Sequence, residues 1–161
     1  MSKSDIRIVT SINGFEKLKL FVKSYINKNV NDDSIKNLLE QCDLQHRSNK
    51  QCYFGWNEYR GWEEYTNNSV AAIMEGLRFL EETDYSYRFY RLGEDKEDYE
   101  EHHFDSTKEG EEDLEYPNIT REFDDRYVVD RLYQEKFNAL EENKGEIEIW
   151  VFMMKYYQVQ V

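Results

Sequence analysis

Hydrophobic residues recur along this chain with two spacings, about two residues in some stretches and three to four in others. The alternation of Ile6, Ile8 and Thr10 with their neighbours predicts a first strand, which ends at the turn pair Asn13-Gly14. Similar alternation predicts further strands at about residues 51–57, 85–92, 118–123 and 146–161. Apolar residues three and four apart predict four helices, at about residues 13–26, 32–41, 67–83 and 124–140.

Strands that pair or alternate with helices over the whole length indicate an α+β fold. Large side chains occupy both faces of the stretches 85–92 and 146–161, which favours interior positions for these two strands. We therefore predict a single domain spanning residues 1–161. Its sheet is expected to be mixed and largely antiparallel, with about four helices mainly on one side and an acidic segment near residues 94–115 inserted between strands.

One short sequence is repeated: Gly55-Trp56-Asn57-Glu58-Tyr59 recurs six residues later as Gly61-Trp62-Glu63-Glu64-Tyr65. An even shift keeps side chains on one face of an extended segment, whereas on a helix the two tryptophans would lie about 240° apart. The pair has two interpretations, as core residues or as an aromatic platform at a binding surface. The hypothesis carried forward is that Trp56 and Trp62 anchor a partner beside the acidic surface.

The distribution of charge along the chain is uneven. The 22 residues from Glu94 to Glu115 include 12 acids and two lysines, so this acidic segment carries minus 10 of the chain's formal net charge of minus 13. Such a block is typical of a solvated loop, because like charges repel and add little to a core. Tyr99, Phe104 and Leu114 interrupt it, however, and Tyr116 follows it; residues of this kind can fasten an acidic loop to a body or a partner.

The acidic segment is therefore the predicted partner-binding surface. Local charge of this density steers association with a basic partner. The predicted contact carboxylates are Glu94, Asp95, Glu97, Asp98, Glu100, Glu101, Glu111, Glu112 and Asp113.

Several classes are disfavoured by composition. No apolar run approaches the 18 residues of a bilayer crossing, and a pI near 4.7 opposes direct binding to nucleic acid or to anionic lipid. Met1 to Asn13 has no leader of charged-then-apolar form, so the chain is expected to be cytosolic and Cys42 and Cys52 to be thiols.

Catalytic signatures are absent from the sequence. It has no Gly-x-Ser-x-Gly elbow, phosphate-binding glycine loop or Cys-x-x-Cys pair. His102 and His103 point in different directions in any regular structure, which disfavours a shared metal. Acids such as Glu94, Asp95, Glu112 and Asp113 could hold Mg²⁺ as in a nuclease, but no acid and lysine pair singles itself out for that role. We expect no enzyme activity, no metal and no cofactor.

These features together resemble the small acidic inhibitors of phages and mobile elements, which include anti-CRISPR, anti-restriction and uracil-DNA glycosylase inhibitor proteins. The resemblance is compositional and rests on Glu94 to Glu115. It implies a DNA mimic in the cytoplasm of a bacterial host, whose carboxylates take the place of phosphates on a nuclease or defence complex such as a CRISPR or restriction effector. The alternative is an immunity protein that neutralises a bacterial toxin domain, and the oligomeric state is left open.

Overall fold

The computed structural model describes residues 2–111, 113–120 and 122–143, so the predicted strand at 146–161 lies outside the described residues. A five-stranded sheet forms its centre, in the order β2-β3-β1-β4-β5, and every pairing in it is antiparallel. The five strands are β1 Lys3–Ser11, β2 Leu44–Arg47, β3 Gln51–Arg60, β4 Tyr87–Leu92 and β5 Tyr99–Phe104.

One face of the sheet is covered by two helices, α1 Ile12–Lys28 and α2 Asn68–Glu82. Ser11 caps α1 by accepting a hydrogen bond from the Gly14 backbone N–H, and Asn67 caps α2 in the same way. The apolar sides of both helices meet Ile6 and Ile8 of β1 in one large core cluster. Burial of this face provides most of the apolar stabilisation of the fold.

The opposite face carries a smaller cluster beneath α3, Asp125–Asn143. Before this helix, the strands β6 Asn118–Ile119 and β7 Phe123–Asp124 form a separate two-stranded hairpin. The cluster under α3 consists of buried side chains from β1, β3, the acidic segment and α3: Val9, Tyr53, Leu114, Val128 and Leu132.

A buried arginine joins α3 to the sheet. Arg7 is 3% exposed and donates to both carboxylate oxygens of Asp125, at 2.8 and 3.0 Å, while Tyr53 donates to the same carboxylate at 2.6 Å. Gly55 lies opposite Arg7 in β3, and a Cβ there would fall 1.9 Å from the Ile6 carbonyl oxygen. Glycine at this position lets the two strands approach closely beside the arginine.

The α+β fold class is confirmed, with α1 and α2 on one face and α3 on the other. The second predicted helix, at 32–41, is reduced to a short 3₁₀ helix, Leu38–Gln41. Lys36 donates its backbone N–H to Ser69 Oγ of α2, and Asn37 caps the 3₁₀ turn, so the residues before it are held outside a helix. Both cysteines are free thiols, as predicted.

Candidate acidic interface at the sheet edge

The acidic segment begins as a hairpin rather than a free loop. Its strand β5 pairs with β4 in regular antiparallel register, from Leu92 opposite Tyr99 to Tyr87 opposite Phe104. The Gly93 N–H donates to the Asp98 carbonyl at 2.7 Å and closes the turn. A Cβ on Gly93 would lie 1.8 Å from an Asp98 carboxylate oxygen, so the turn requires glycine there. The segment predicted as an insertion between strands therefore supplies the outer strand of the sheet.

Arg91 of β4 binds two of the predicted contact carboxylates. Its Nη2 donates to Asp98 at 2.7 Å, and its Nε donates to Glu100 at 3.1 Å. The hydrogen bond and positive charge of Arg91 hold the pKa of Asp98 below its ordinary value, and the two carboxylates raise the pKa of Arg91. Asp98 and Glu100 thus fasten β5 to the sheet before they can serve any partner.

Four other carboxylates of the hairpin are exposed: Glu94, Asp95, Glu97 and Glu101. Glu94 accepts a hydrogen bond from the Lys3 backbone N–H at 2.8 Å, and Glu101 accepts one from the Tyr99 hydroxyl. Burial, followed by the bond to Glu101, raises the pKa of Tyr99 to about 12. The hairpin therefore places four solvated negative charges at one corner of the sheet.

The remainder of the segment returns across the molecule and is tied down at the other end of β1. Glu111 accepts hydrogen bonds from Ser11 Oγ and from the Ser86 backbone N–H, and Leu114 is buried in the cluster beneath α3. Since Glu94 lies at Lys3 and Glu111 at Ser11, the two carboxylates are roughly 27 Å apart at about 3.4 Å per residue.

The predicted contact set is thereby divided. Glu94 to Glu101 share one corner, whereas Glu111 lies at the far end of the sheet and is already hydrogen-bonded. Asp113 is exposed in the return loop, and Glu112 lies outside the described residues. Hydrogen bonds and one buried leucine fold the segment back along the sheet, so the predicted carboxylates that the structure describes do not form one continuous surface.

The two tryptophans lie elsewhere. Trp56 is 2% exposed and Trp62 is 8% exposed, and their rings lie 5.1 Å apart within the core cluster under α1 and α2. Trp56 also donates to the Leu38 carbonyl at 3.0 Å. The prediction that they are exposed anchors for a partner is wrong for the folded chain, because β3 ends at Arg60 and Gly61, with φ of 74°, turns Trp62 back over the core.

Metal-binding and nucleophilic chemistry finds no support among the described residues. No group of three or more His, Cys, Asp or Glu side chains there is arranged to hold a metal ion. Burial raises the pKa of Cys42 to about 12 and that of Cys52 to about 11, which disfavours the reactive thiolate form. None of the described helices is both long and apolar enough to cross a bilayer.

Sequence reasoning missed the arginines that shape this site. Arg88 is 3% exposed, forms an ion pair with Asp105 at 2.5 Å and lies 4.5 Å from the centre of the Tyr116 ring. With Arg91, it holds both ends of β5 against β4. The available signal was two arginines spaced three apart in a strand that is followed directly by an excess of acids.

Comparison of the chain with protein-family models, with curated proteins and with solved structures finds no match in any of the three. The site is therefore interpreted from its own geometry and charge.

Proposed function

We propose that this protein is a non-catalytic binding protein that inhibits a nucleic-acid-handling enzyme or defence complex by occupying its basic DNA- or RNA-binding surface. One observation carries the proposal: the hairpin at the end of the sheet displays Glu94, Asp95, Glu97 and Glu101 to solvent. No lysine or arginine side chain is recorded in an ion pair with any of the four within the described part of the chain. Solvated carboxylates at one rigid corner can meet side chains that otherwise bind phosphates.

The support is electrostatic and geometric. Asp98 and Glu100 are held by Arg91, so the hairpin keeps its shape while its outer carboxylates remain available. A preformed surface loses less conformational freedom on binding than a disordered acidic loop would lose. An acidic patch of this kind attracts a basic partner most strongly at low ionic strength.

The experiment is capture from a nuclease-treated lysate of the host, followed by competition. The immobilised protein is expected to retain a nucleic-acid-binding protein that a 20-base-pair DNA duplex, or an RNA of similar length, releases in a concentration-dependent manner. Release by nucleic acid is the required result, because it shows that both compete for one basic surface. A captured protein that neither duplex nor RNA displaces contradicts the proposal and favours the immunity role against a toxin domain.

A charge-matched pair of variants tests whether the hairpin is the surface that binds the partner. The first carries Glu94→Gln, Asp95→Asn, Glu97→Gln and Glu101→Gln. The control carries Asp33→Asn, Glu40→Gln, Glu75→Gln and Glu82→Gln, all at exposed positions away from the hairpin. Both variants lose four negative charges, so only the location differs. Loss of capture in the first and its retention in the control is the expected outcome.

A further inference from the structure

The outer side of β5 is an unpaired strand edge within the described part of the chain. The Gly93 N–H donates to the Asp98 carbonyl, and these residues are opposite each other in the β4–β5 register. Because successive residues of a strand direct their backbone groups to opposite sides, Glu100, His102 and Phe104 face β4. Glu101 and His103 therefore direct their N–H and C=O groups outward.

These outward groups have no partner among the described residues. No backbone or side-chain hydrogen bond is recorded to the N–H or C=O of Glu101 or His103, and both residues are exposed. Two donors and two acceptors in alternation form the pattern that an additional antiparallel strand pairs with. The opposite edge of the sheet differs, since α3 lies beside β2, where the Tyr133 ring meets His46 at 6.2 Å.

A cavity of about 380 Å³ lies beside this edge, between β5 and α2. Met74, Leu77 and Tyr87 contribute buried apolar surface to it. Its charged lining consists of Glu81, Glu100 and the ion pair between Arg78 and Glu64, so three carboxylates and one guanidinium give it a formal net charge of minus two. Since Glu100 and His102 line the cavity, a strand added next to β5 would direct alternate side chains over it. An apolar wall with carboxylates at its rim matches a lysine or arginine, whose aliphatic stem is buried while its charge stays at the surface.

We propose that β5 binds an extended segment of the partner by strand addition, and that this segment carries lysine or arginine on both of its faces. Cationic side chains on one face enter the cavity between α2 and β5, and those on the other face meet Glu101. The inference rests on the proposed function and specifies how its basic partner is held: backbone pairing supplies orientation, and Glu81 and Glu101 select the charge, since Glu100 is already bound by Arg91.

The test uses a synthetic peptide amide, Lys-Lys-Val-Lys-Val-Lys-Lys, and the same peptide with every backbone nitrogen methylated. Both carry the same charge, but only the first can donate backbone hydrogen bonds to an open edge. The unmethylated peptide is expected to bind at least about tenfold more tightly and to slow hydrogen exchange at the Glu101 and His103 amides. Equal binding of the two peptides, no binding of the first, or unchanged exchange at both amides overturns the inference.

A pair of variants at one position makes the same test on the protein. His103→Ala keeps the outward N–H, whereas His103→Pro removes it and leaves the β4 hydrogen bonds and all acids intact. Peptide affinity is expected to fall about fivefold or more from the alanine to the proline variant, since a hydrogen bond is lost and its acceptor is left unpaired. Thermal melting of both variants, and of the edge control Gln45→Pro in β2, reports on folding.

The two proposals fail separately. If the proline variant binds the peptide like the alanine variant, but neutralising the four hairpin acids still abolishes capture of the partner, strand addition is wrong and the proposed function stands. If neutralising the acids leaves capture of the partner unchanged, the proposed function is wrong.

Discussion

The aromatic repeat and the acidic segment are both conspicuous in the sequence, yet the structure places them in opposite physical environments. Trp56 and Trp62 are buried in the cluster beneath α1 and α2. The acidic segment is instead held to the sheet by Arg88, Arg91 and a few hydrogen bonds, and its outer carboxylates stay in water. Residues of the first region determine whether the chain folds, whereas exposed residues of the second can change with little effect on folding.

Truncating a tryptophan of the aromatic repeat should reduce the stability of the fold most. Trp62→Ala should lower the free energy of unfolding by about 3 to 5 kcal/mol, because it removes a large buried ring that contacts Trp56 and Phe89. Tyr65→Ala is the control from the same repeat, since Tyr65 is 95% exposed, and it should change stability by less than about 0.5 kcal/mol. Urea unfolding measures both, and a similar small loss in the two variants would contradict the burial of Trp62.

A smaller loss of stability is expected when the buried ion pair between Arg7 and Asp125 beneath α3 is broken. Arg7→Met should lower the free energy of unfolding by roughly 3 kcal/mol. This value is at the lower end for a broken buried ion pair, because one third of the Asp125 side chain remains exposed. Arg60→Met, at an exposed position of β3, is the control and should be nearly neutral. Urea unfolding at pH 7 compares the two variants, and equal stability would show that Arg7 contributes nothing to the docking of α3.

Acidification should weaken the same contact. Burial opposes the charge on Asp125, but hydrogen bonds from Arg7 and Tyr53 and the charge of Arg7 outweigh it and hold the pKa of Asp125 below its ordinary 3.8. A lowered folded pKa stabilises the protein above about pH 3.8, and this contribution is lost as the pH falls further. The stability difference between wild type and Asp125→Asn should therefore narrow from pH 7 to pH 2.5 in urea unfolding. A constant difference would contradict the depressed pKa.

The smallest effect on stability is expected at the hairpin. Neutralising Glu94, Asp95, Glu97 and Glu101 together should shift the melting temperature by no more than the charge-matched control does, because all four are exposed. Arg91→Met, which releases Asp98 and Glu100, should lower the melting temperature more than the four neutral substitutions combined. A large loss from the neutral substitutions would mean that these carboxylates hold the fold together.

The periodic elements were predictable from sequence because one face of each is buried. The alternation around Ile6 located β1, and the apolar spacing from Val70 to Leu80 located α2 within one or two residues of its bounds. The strand β5 escaped prediction because Tyr-Glu-Glu-His-His-Phe lies at an edge of the sheet formed by the described residues, is largely solvated and therefore shows no alternation.

The candidate site was predictable in composition and not in arrangement. The excess of acids from Glu94 onward identified the segment, but the sequence does not state which carboxylates an arginine holds. That division depends on the β4–β5 register, which places Arg91 opposite Glu100. The six-residue spacing of the tryptophans was misleading for a similar reason, because the positive φ of Gly61 breaks the extended path that the interpretation assumed.

The salt dependence of partner association shows whether the hairpin carboxylates form the binding surface. Association rates of the captured partner are measured between 50 mM and 500 mM NaCl for wild type, the hairpin-neutral variant and the charge-matched control. We expect wild type and control to associate about tenfold or more faster at low salt than the hairpin-neutral variant, whose rate should depend little on salt. Equal rates and equal salt slopes for all three proteins would contradict the claim that the hairpin carboxylates are the binding surface.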